Sequence, residues 1–237
     1  MNEENQVYFI DSDELPAKAL ERKHKLEQDP SSRTNHMEYM PGMQVIVSDI
    51  KDKVLEAMEN YDYDSYTASD VQRALSNASC SIEDFKALLS PAAAPFLEQM
   101  ARKAEEITKN HFGNTVYIFT PLYIANYCQN YCVYCGFNCY NKIRRKKLTF
   151  EEMEHEMQVI ARTGMEEILI LTGESRTYSD VEYIGEAVKI AKKYFRNIGI
   201  EIYPVNEDEY RYLHECGVDY VTVFQETYNA DKYETLH

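Results

Sequence analysis

Apolar residues recur at different spacings along the chain, and these spacings divide it into three parts. The first 45 residues are mostly polar. From about residue 46 to residue 114, apolar positions fall three or four apart, which is typical of amphipathic helices. After that point, short apolar runs alternate with helical segments. We therefore predict a polar N-terminal arm (residues 1–45), a helical region (46–114) and an α/β region (115–237).

Four short apolar runs in the α/β region predict strands: Val116–Leu122, Ile168–Leu171, Ile198–Tyr203 and Tyr220–Phe224. The segments between them carry helix signals. Thr149 followed by Glu152 is a capping-box pattern, and Asn206 followed by Glu209 opens a further helix. Strands separated by helices of this size indicate βαβ units with parallel pairing and right-handed crossovers.

Four βα units amount to half of an eight-stranded barrel, and a whole barrel takes about 250 residues. Residues 116–237 comprise only 122 positions. An open half-barrel would leave its first and fourth strands as unpaired edges. The chain is therefore either a small α/β sheet or a fragment of a longer protein. We favour the fragment, an apparently C-terminally truncated (β/α) barrel that follows a helical N-terminal region.

Composition narrows the functional class. The chain has 40 acidic and 25 basic residues and a net charge of −15, which argues against nucleic-acid binding, because phosphate attraction requires an excess of Lys and Arg. No apolar run approaches the roughly 18 residues needed to span a membrane. The N-terminus lacks the basic and apolar stretches of a signal peptide. We expect a cytoplasmic protein whose six cysteines serve metal or redox chemistry.

Four of the six cysteines fall between Cys128 and Cys139. Cys128, Cys132 and Cys135 follow the first predicted strand at spacings of four and three, so their thiolates can hold three different irons of a cubane cluster. A [4Fe–4S] cluster normally takes four thiolates, so one iron would stay open to a small molecule. The alternative is a closed zinc site with Cys139 as the fourth ligand. The spacing favours iron and sulfur over zinc.

The sequence around these cysteines resembles a known family. The three cysteines, with Tyr134 before the last, are similar to the signature of radical S-adenosylmethionine (SAM) enzymes. Further segments resemble the tyrosine-cleaving branch of that superfamily: Pro121–Cys128, Tyr134–Asn138, Asn141–Arg145, Asp84–Ala93 and Phe112–Val116. This branch contains the thiamine-pathway tyrosine lyases (ThiH, 2-iminoacetate synthases) and the hydrogenase-maturation enzymes of the HydG type. The last two segments favour the thiamine-pathway lyases.

The resemblance implies a [4Fe–4S] cluster that binds SAM, and tyrosine as the substrate. The implied reaction cleaves the tyrosine Cα–Cβ bond to 2-iminoacetate and p-cresol, for the thiazole moiety of thiamine. Thiazole synthase and an electron donor such as flavodoxin or ferredoxin are the implied partners. Two alternatives stay open: a HydG-like tyrosine lyase, and a truncated, non-catalytic half-domain that binds a cluster or zinc.

The resemblance also suggests where SAM binds. Thr172, Gly173 and Glu174 end the second predicted strand and resemble the motif that holds the SAM amino group. A glycine there allows close approach of a ligand, and a carboxylate accepts hydrogen bonds from an ammonium group. Tyr134 resembles the residue that contacts the adenine. The structural alternatives are a turn glycine followed by an acid, and ordinary loop packing for the tyrosine.

Two more regions carry weaker signals. Gln225 and Glu226 end the fourth predicted strand and resemble a family motif near the SAM and substrate pocket. Glu201 lies on the third strand, and the sequence does not fix which face it occupies. Arg144 and Arg145 could attract a substrate carboxylate, but we interpret them as a solvated basic turn. No side chain is assigned as a general acid or base.

Overall fold

The computed structural model describes residues 42–139 and 141–229, together with positions 232, 233, 236 and 237 and a few positions before residue 30. The predicted polar arm therefore lies largely outside the described residues. The chain divides into two compact units, one of residues 46–117 and one of residues 118–237 with the described part of the arm. Among the described residues, no helix is both long and apolar enough to cross a membrane.

The first unit is helical. Its helices are α1 (Ile50–Glu59), α2 (Ala68–Ser76), α3 (Ile82–Leu89), a 3₁₀ helix (Pro91–Phe96) and α4 (Leu97–Phe112). Local chemistry sets their ends. At the start of α3, the Ser81 hydroxyl accepts a hydrogen bond from the Asp84 amide (3.1 Å), and the Asp84 carboxylate accepts one from the Ser81 amide (2.9 Å). Helix α4 ends at Gly113, whose φ of 62° favours glycine.

The second unit alternates strands and helices. Its elements are β1 (Thr120–Ala125), α5 (Phe150–Ala161), β2 (Glu167–Thr172), α6 (Val181–Ala191), β3 (Asn197–Glu201), α7 (Glu207–Cys216) and β4 (Tyr220–Thr222). The strands form one sheet in the order β1-β2-β3-β4, and all three pairings are parallel. The predicted α/β class and four-stranded parallel sheet are confirmed.

The limits of the first and last strands differ from the prediction. β1 begins at Thr120, which pairs with Ile168, and not at Val116. Val116 is 77% exposed and outside the sheet. β4 ends at Thr222, two residues before Phe224. The prediction placed these limits by apolar residues alone. A strand, however, extends only as far as a neighbouring strand offers hydrogen-bond partners.

The core lies between one face of the sheet and helices α5, α6 and α7. Alternate strand residues enter it, and several are fully buried: Ile124, Ile168, Ile170, Ile198 and Ile200. The residues between them face the other way. The strand register aligns Tyr123 with Leu171 and Leu171 with Glu201. Glu201 therefore lies on the sheet face opposite the helices, which the sequence had left open.

Tyr183 of α6 ties the end of β1 to the chain that enters α5. Its hydroxyl shares one proton between the carbonyl oxygens of Ile124 (2.9 Å) and Leu148 (2.8 Å), and the side chain is buried. We expect Tyr183→Phe to lower the free energy of unfolding by about 1–3 kcal/mol, because the buried Ile124 carbonyl and the partly buried Leu148 carbonyl lose the hydroxyl that they share. Urea denaturation measures this change.

Tyr194→Phe is the matched control. The Tyr194 hydroxyl donates to the Glu154 carboxylate (2.8 Å), which is partly exposed and also pairs with Lys193, and it accepts from the Gln158 side-chain amide (3.0 Å). Water can replace both bonds at this partly exposed position, so we expect a loss of less than about 0.5 kcal/mol. Equal losses in the two variants would contradict the role given to the Tyr183 hydroxyl.

Candidate active site

The loop that carries the three cysteines leaves the sheet at the end of β1. β1 ends at Ala125, and Cys128 follows three residues later. Because the strands are parallel, the segments that follow β2 and β4 emerge at the same edge of the sheet. The cysteine loop, the segment of Thr172 to Glu174 and the residues after β4 therefore share one edge, as the sequence predicted.

Two buried asparagines hold the cysteine loop in place. The Asn138 side-chain amide donates to the carbonyl oxygens of Tyr131 (2.5 Å) and Cys132 (2.8 Å). The Asn141 side-chain amide donates to the Gly136 carbonyl oxygen at 3.0 Å. These bonds replace the regular backbone pairing that an irregular loop lacks, so they fix its shape.

Arg145 corrects the interpretation of a solvated basic turn. Its Nη1 donates to the carbonyl oxygens of Asn126 (2.6 Å) and Phe137 (2.8 Å), and its Nη2 donates to that of Asn138 (2.6 Å). The guanidinium is thus bonded to both ends of the cysteine loop. The sequence could not show this, because the partners are backbone oxygens, which every residue has.

The segment after β2 packs directly against the cysteine loop. The Gly173 amide donates to the Ala125 carbonyl oxygen at 2.9 Å. A Cβ at Gly173 would collide with the Tyr127 carbonyl oxygen, so only glycine fits here. The Glu174 carboxylate accepts a hydrogen bond from the Asn130 side-chain amide at 2.6 Å. Glu174 therefore lies against the loop that carries the cysteines.

Two hydroxyl groups in this segment are buried without a hydrogen-bond partner in the part of the chain that the structure describes. They are Thr172 Oγ1 and Ser175 Oγ. A buried hydroxyl without a partner costs free energy, so such groups indicate a missing polar partner. Thr172 was predicted for this site, whereas Ser175 was not. Both fit a segment that contacts a polar ligand.

Comparison with known proteins identifies the α/β unit. Residues 122–237 match the family model of the Radical SAM superfamily. The chain carries a radical SAM domain. The predicted fold is therefore confirmed as a partial radical SAM barrel.

The most informative relatives are two bacterial 2-iminoacetate synthases. The chain is 40% identical over 171 residues to the enzymes of Salmonella typhimurium (strain LT2) and Escherichia coli (strain K12), which covers 72% of this chain and 45% of each relative. A crystal structure of HydG, a maturase of the [FeFe]-hydrogenase, matches with a TM-score of 0.70 and 28% identity, over 80% of this chain and 44% of that chain. The chain thus spans less than half the length of these relatives.

The cysteine loop of the radical SAM domain fits an iron–sulfur cluster. Cys128, Cys132 and Cys135 are free and half-buried, whereas Cys139 is exposed. Burial, together with the negative charges of Cys128 and Cys135, raises the pKa of the Cys132 thiol to about 11, so the two other sulfurs lie near enough to affect it. Across residues 42–139 and 141–229, no three His, Cys, Asp or Glu side chains are placed to hold a single metal ion.

The raised pKa of Cys132 gives a testable pH dependence in the metal-free chain. Alkylation requires the thiolate, so we expect the rate at Cys132 to rise about tenfold per pH unit. The rise should continue to about pH 11, instead of levelling near the ordinary thiol pKa of 9.0. Iodoacetamide labelling followed by peptide mass spectrometry measures it, with exposed Cys80 as the reference. A plateau near pH 9 would contradict the burial of Cys132.

Tyr134 and Glu226 lie together, whereas Gln225 does not join them. The Tyr134 hydroxyl lies 2.9 Å from Nε2 of His237, which is 3.8 Å from the Glu226 carboxylate. Partial burial and a hydrogen bond with Glu226 raise the pKa of Tyr134. The Gln225 side chain donates to the Thr227 carbonyl oxygen (2.8 Å) and so folds onto its own loop. His237 was not predicted, because its spacing indicates no ligand.

The sequence did not predict several residues that join the two segments of the site. Asn130 contacts Glu174 across 44 positions, and Tyr127 stacks on Tyr178 with ring centroids 3.8 Å apart. Both contacts join the cysteine loop to the segment after β2. Tyr127, Asn138 and Asn141 had a sequence signal, since they lie inside the segments that resemble the family, whereas Asn130 and Tyr178 had none.

Proposed function

We propose that this chain contributes the cluster and SAM half of a radical lyase that cleaves tyrosine to 2-iminoacetate and p-cresol. The observation that carries the proposal is the braced three-cysteine loop at the carboxyl edge of the sheet, beside Gly173 and Glu174. The 40% identity to 2-iminoacetate synthases supports the choice of reaction. The product would supply the thiazole moiety of thiamine.

Cys128, Cys132 and Cys135 would hold a [4Fe–4S] cluster, with the fourth iron left for SAM. When cluster and SAM are both bound, one-electron cleavage of SAM yields a 5′-deoxyadenosyl radical. The chain itself holds the thiols in place and half-buries them. Burial raises the pKa of the Cys132 thiol, so loading must release its proton and is easier at higher pH.

The residues after β2 and in the loop would bind SAM. The Glu174 carboxylate, already bonded to Asn130, has acceptor sites left for an ammonium group. The unpartnered Thr172 hydroxyl could bond to the same part of the ligand. Tyr134 offers an aromatic ring for the adenine. Glu226 lies close enough to bond with Tyr134 and would complete the pocket.

The substrate step determines which partners are needed. Removal of a hydrogen atom from tyrosine, followed by Cα–Cβ cleavage, leaves 2-iminoacetate and a hydroxybenzyl fragment. This fragment becomes p-cresol on gaining one electron and one proton. We therefore include a low-potential donor such as flavodoxin or ferredoxin, and thiazole synthase as the acceptor of the unstable imine.

Anaerobic reconstitution with iron and sulfide tests the proposal. We expect a [4Fe–4S] EPR signal in the reduced chain that changes when SAM is added. A cluster that ignores SAM, or bound zinc without a cluster, would contradict SAM binding by this chain. With tyrosine and a reductant, p-cresol and 5′-deoxyadenosine should accumulate together. 5′-Deoxyadenosine without p-cresol would argue against tyrosine as the substrate.

HydG-like chemistry is the runner-up. The crystal structure of HydG shares the fold but only 28% identity, against 40% for the 2-iminoacetate synthases. A HydG-like enzyme would convert the same cleavage product to cyanide and carbon monoxide. Detection of either gas in the tyrosine assay would favour HydG-like chemistry. A half-domain without catalysis would give a cluster and no p-cresol.

A further inference from the structure

Arg145 connects the two ends of the cysteine loop. Nη1 bonds to the carbonyl oxygen of Asn126, two residues before Cys128, and also to that of Phe137, two residues after Cys135. Nη2 bonds to the Asn138 carbonyl oxygen at 2.6 Å. One planar guanidinium group therefore fixes the separation between the entry and the exit of the loop.

Asn126 in turn bonds to the backbone on both sides of Arg145. Its side-chain amide donates to the Arg144 carbonyl oxygen (2.9 Å), and its side-chain oxygen accepts from the Lys146 amide (2.7 Å). The Asn126 backbone amide also donates to the Lys146 carbonyl oxygen at 3.1 Å. These bonds hold the backbone on both sides of Arg145, so its guanidinium is presented to the loop in a defined position.

The chemistry of the contact requires arginine. A guanidinium is planar, always charged, and carries five N–H donors in a fixed fork, so it can serve several carbonyl oxygens at once. A lysine ammonium is a compact point charge, and removing its hydration shell costs more free energy than for a guanidinium. Because both terminal nitrogens of Arg145 already bond to backbone oxygens, the side chain is not presented as a receptor for a substrate carboxylate.

We propose that Arg145 is a positioning residue that sets the cysteine loop before the cluster arrives. We call Arg145 and its three shortest carbonyl contacts, on Asn126, Phe137 and Asn138, the Arg145 clamp; the Asn141 carbonyl oxygen lies farther from Nη2, at 3.5 Å. It makes no contact with iron; it acts through the backbone that carries the thiols. Groups that orient metal ligands typically change metal affinity about 10- to 100-fold when removed. The cluster part of this inference rests on the proposed function, whereas the effect on the loop does not.

Hydrogen exchange of the metal-free chain tests the clamp directly. In Arg145→Met we expect the bonded loop amides of Cys135, Cys139 and Asn141 to exchange at least about tenfold faster. The amides of β2 should keep their wild-type rates, which separates local loosening from unfolding. Lys146→Gln is the matched control, since it removes the neighbouring charge and only a surface ion pair with Glu152. Unchanged loop exchange in Arg145→Met would overturn the proposal.

Chelator challenge of the reconstituted chain tests the consequence for the cluster. We expect Arg145→Met to lose its visible absorbance and iron about tenfold faster than wild type, with Lys146→Gln unchanged. Arg145→Lys keeps the charge and should fold even where Arg145→Met does not. It should lose the cluster at an intermediate rate. Wild-type retention in both Arg145 variants would overturn the positioning role. A wild-type chain that takes up no cluster would refute the proposed function, and the exchange experiment would still decide the clamp.

Discussion

Serine at Cys128, Cys132 or Cys135 is expected to reduce the iron bound after anaerobic reconstitution to background. Cluster irons are held by thiolates, and three cysteines leave no spare ligand. All three sulfurs are half-buried, and those of Cys128 and Cys135 lie close enough to Cys132 for their charges to shift its pKa. Iron and sulfide analysis, visible absorbance and EPR of the reduced chain measure the loss.

Cys139→Ser is the decisive control for these variants. Cys139 lies close in sequence but is exposed, and a three-cysteine cluster does not need it. We therefore expect Cys139→Ser to retain the cluster. A closed zinc site would instead need four cysteines, so it would lose its metal in this variant. Equal loss of metal in Cys139→Ser and Cys132→Ser would refute the three-cysteine assignment.

Alanine at Gly173 is expected to disrupt both stability and cluster loading. The new Cβ would overlap the Tyr127 carbonyl oxygen and lie 3.1 Å from the Cys128 Cβ. The obstacle is backbone, so it can yield only if the start of the cysteine loop moves. We expect a loss of about 1–3 kcal/mol in the free energy of unfolding, together with less iron per chain. Urea denaturation and iron analysis measure the two effects.

Gly185→Ala provides a glycine of similar burial with a different obstacle. A Cβ there would meet the ring of Tyr212 (2.6 Å), which is a partly exposed side chain that can rotate. Alanine also favours the helical backbone over glycine. We expect a change of less than about 1 kcal/mol and unaltered cluster loading. Similar losses in both variants would show that the contact with the cysteine loop is not what excludes a side chain at Gly173.

The parts of the fold that sequence predicted well depend on local interactions. Thr149 and Glu152 cap α5 through reciprocal hydrogen bonds of 3.2 Å and 2.9 Å, and both residues lie within one turn. Asn206 and Glu209 form the same kind of cap at α7. Such patterns are visible in sequence because their members are three positions apart. The start of β1 at Thr120 was missed because it depends on a partner 48 positions away.

By itself, the sequence determined the alternation of strands and helices and the spacing of Cys128, Cys132 and Cys135, because both are set by neighbours along the chain. Only the tertiary structure decided which face of the sheet Glu201 occupies and which group holds Glu174. It also showed that Arg145, which the sequence suggested was a solvated charge, bonds to both ends of the cysteine loop. These choices depend on backbone oxygens and distant side chains that folding brings together, and no spacing in the sequence encodes them.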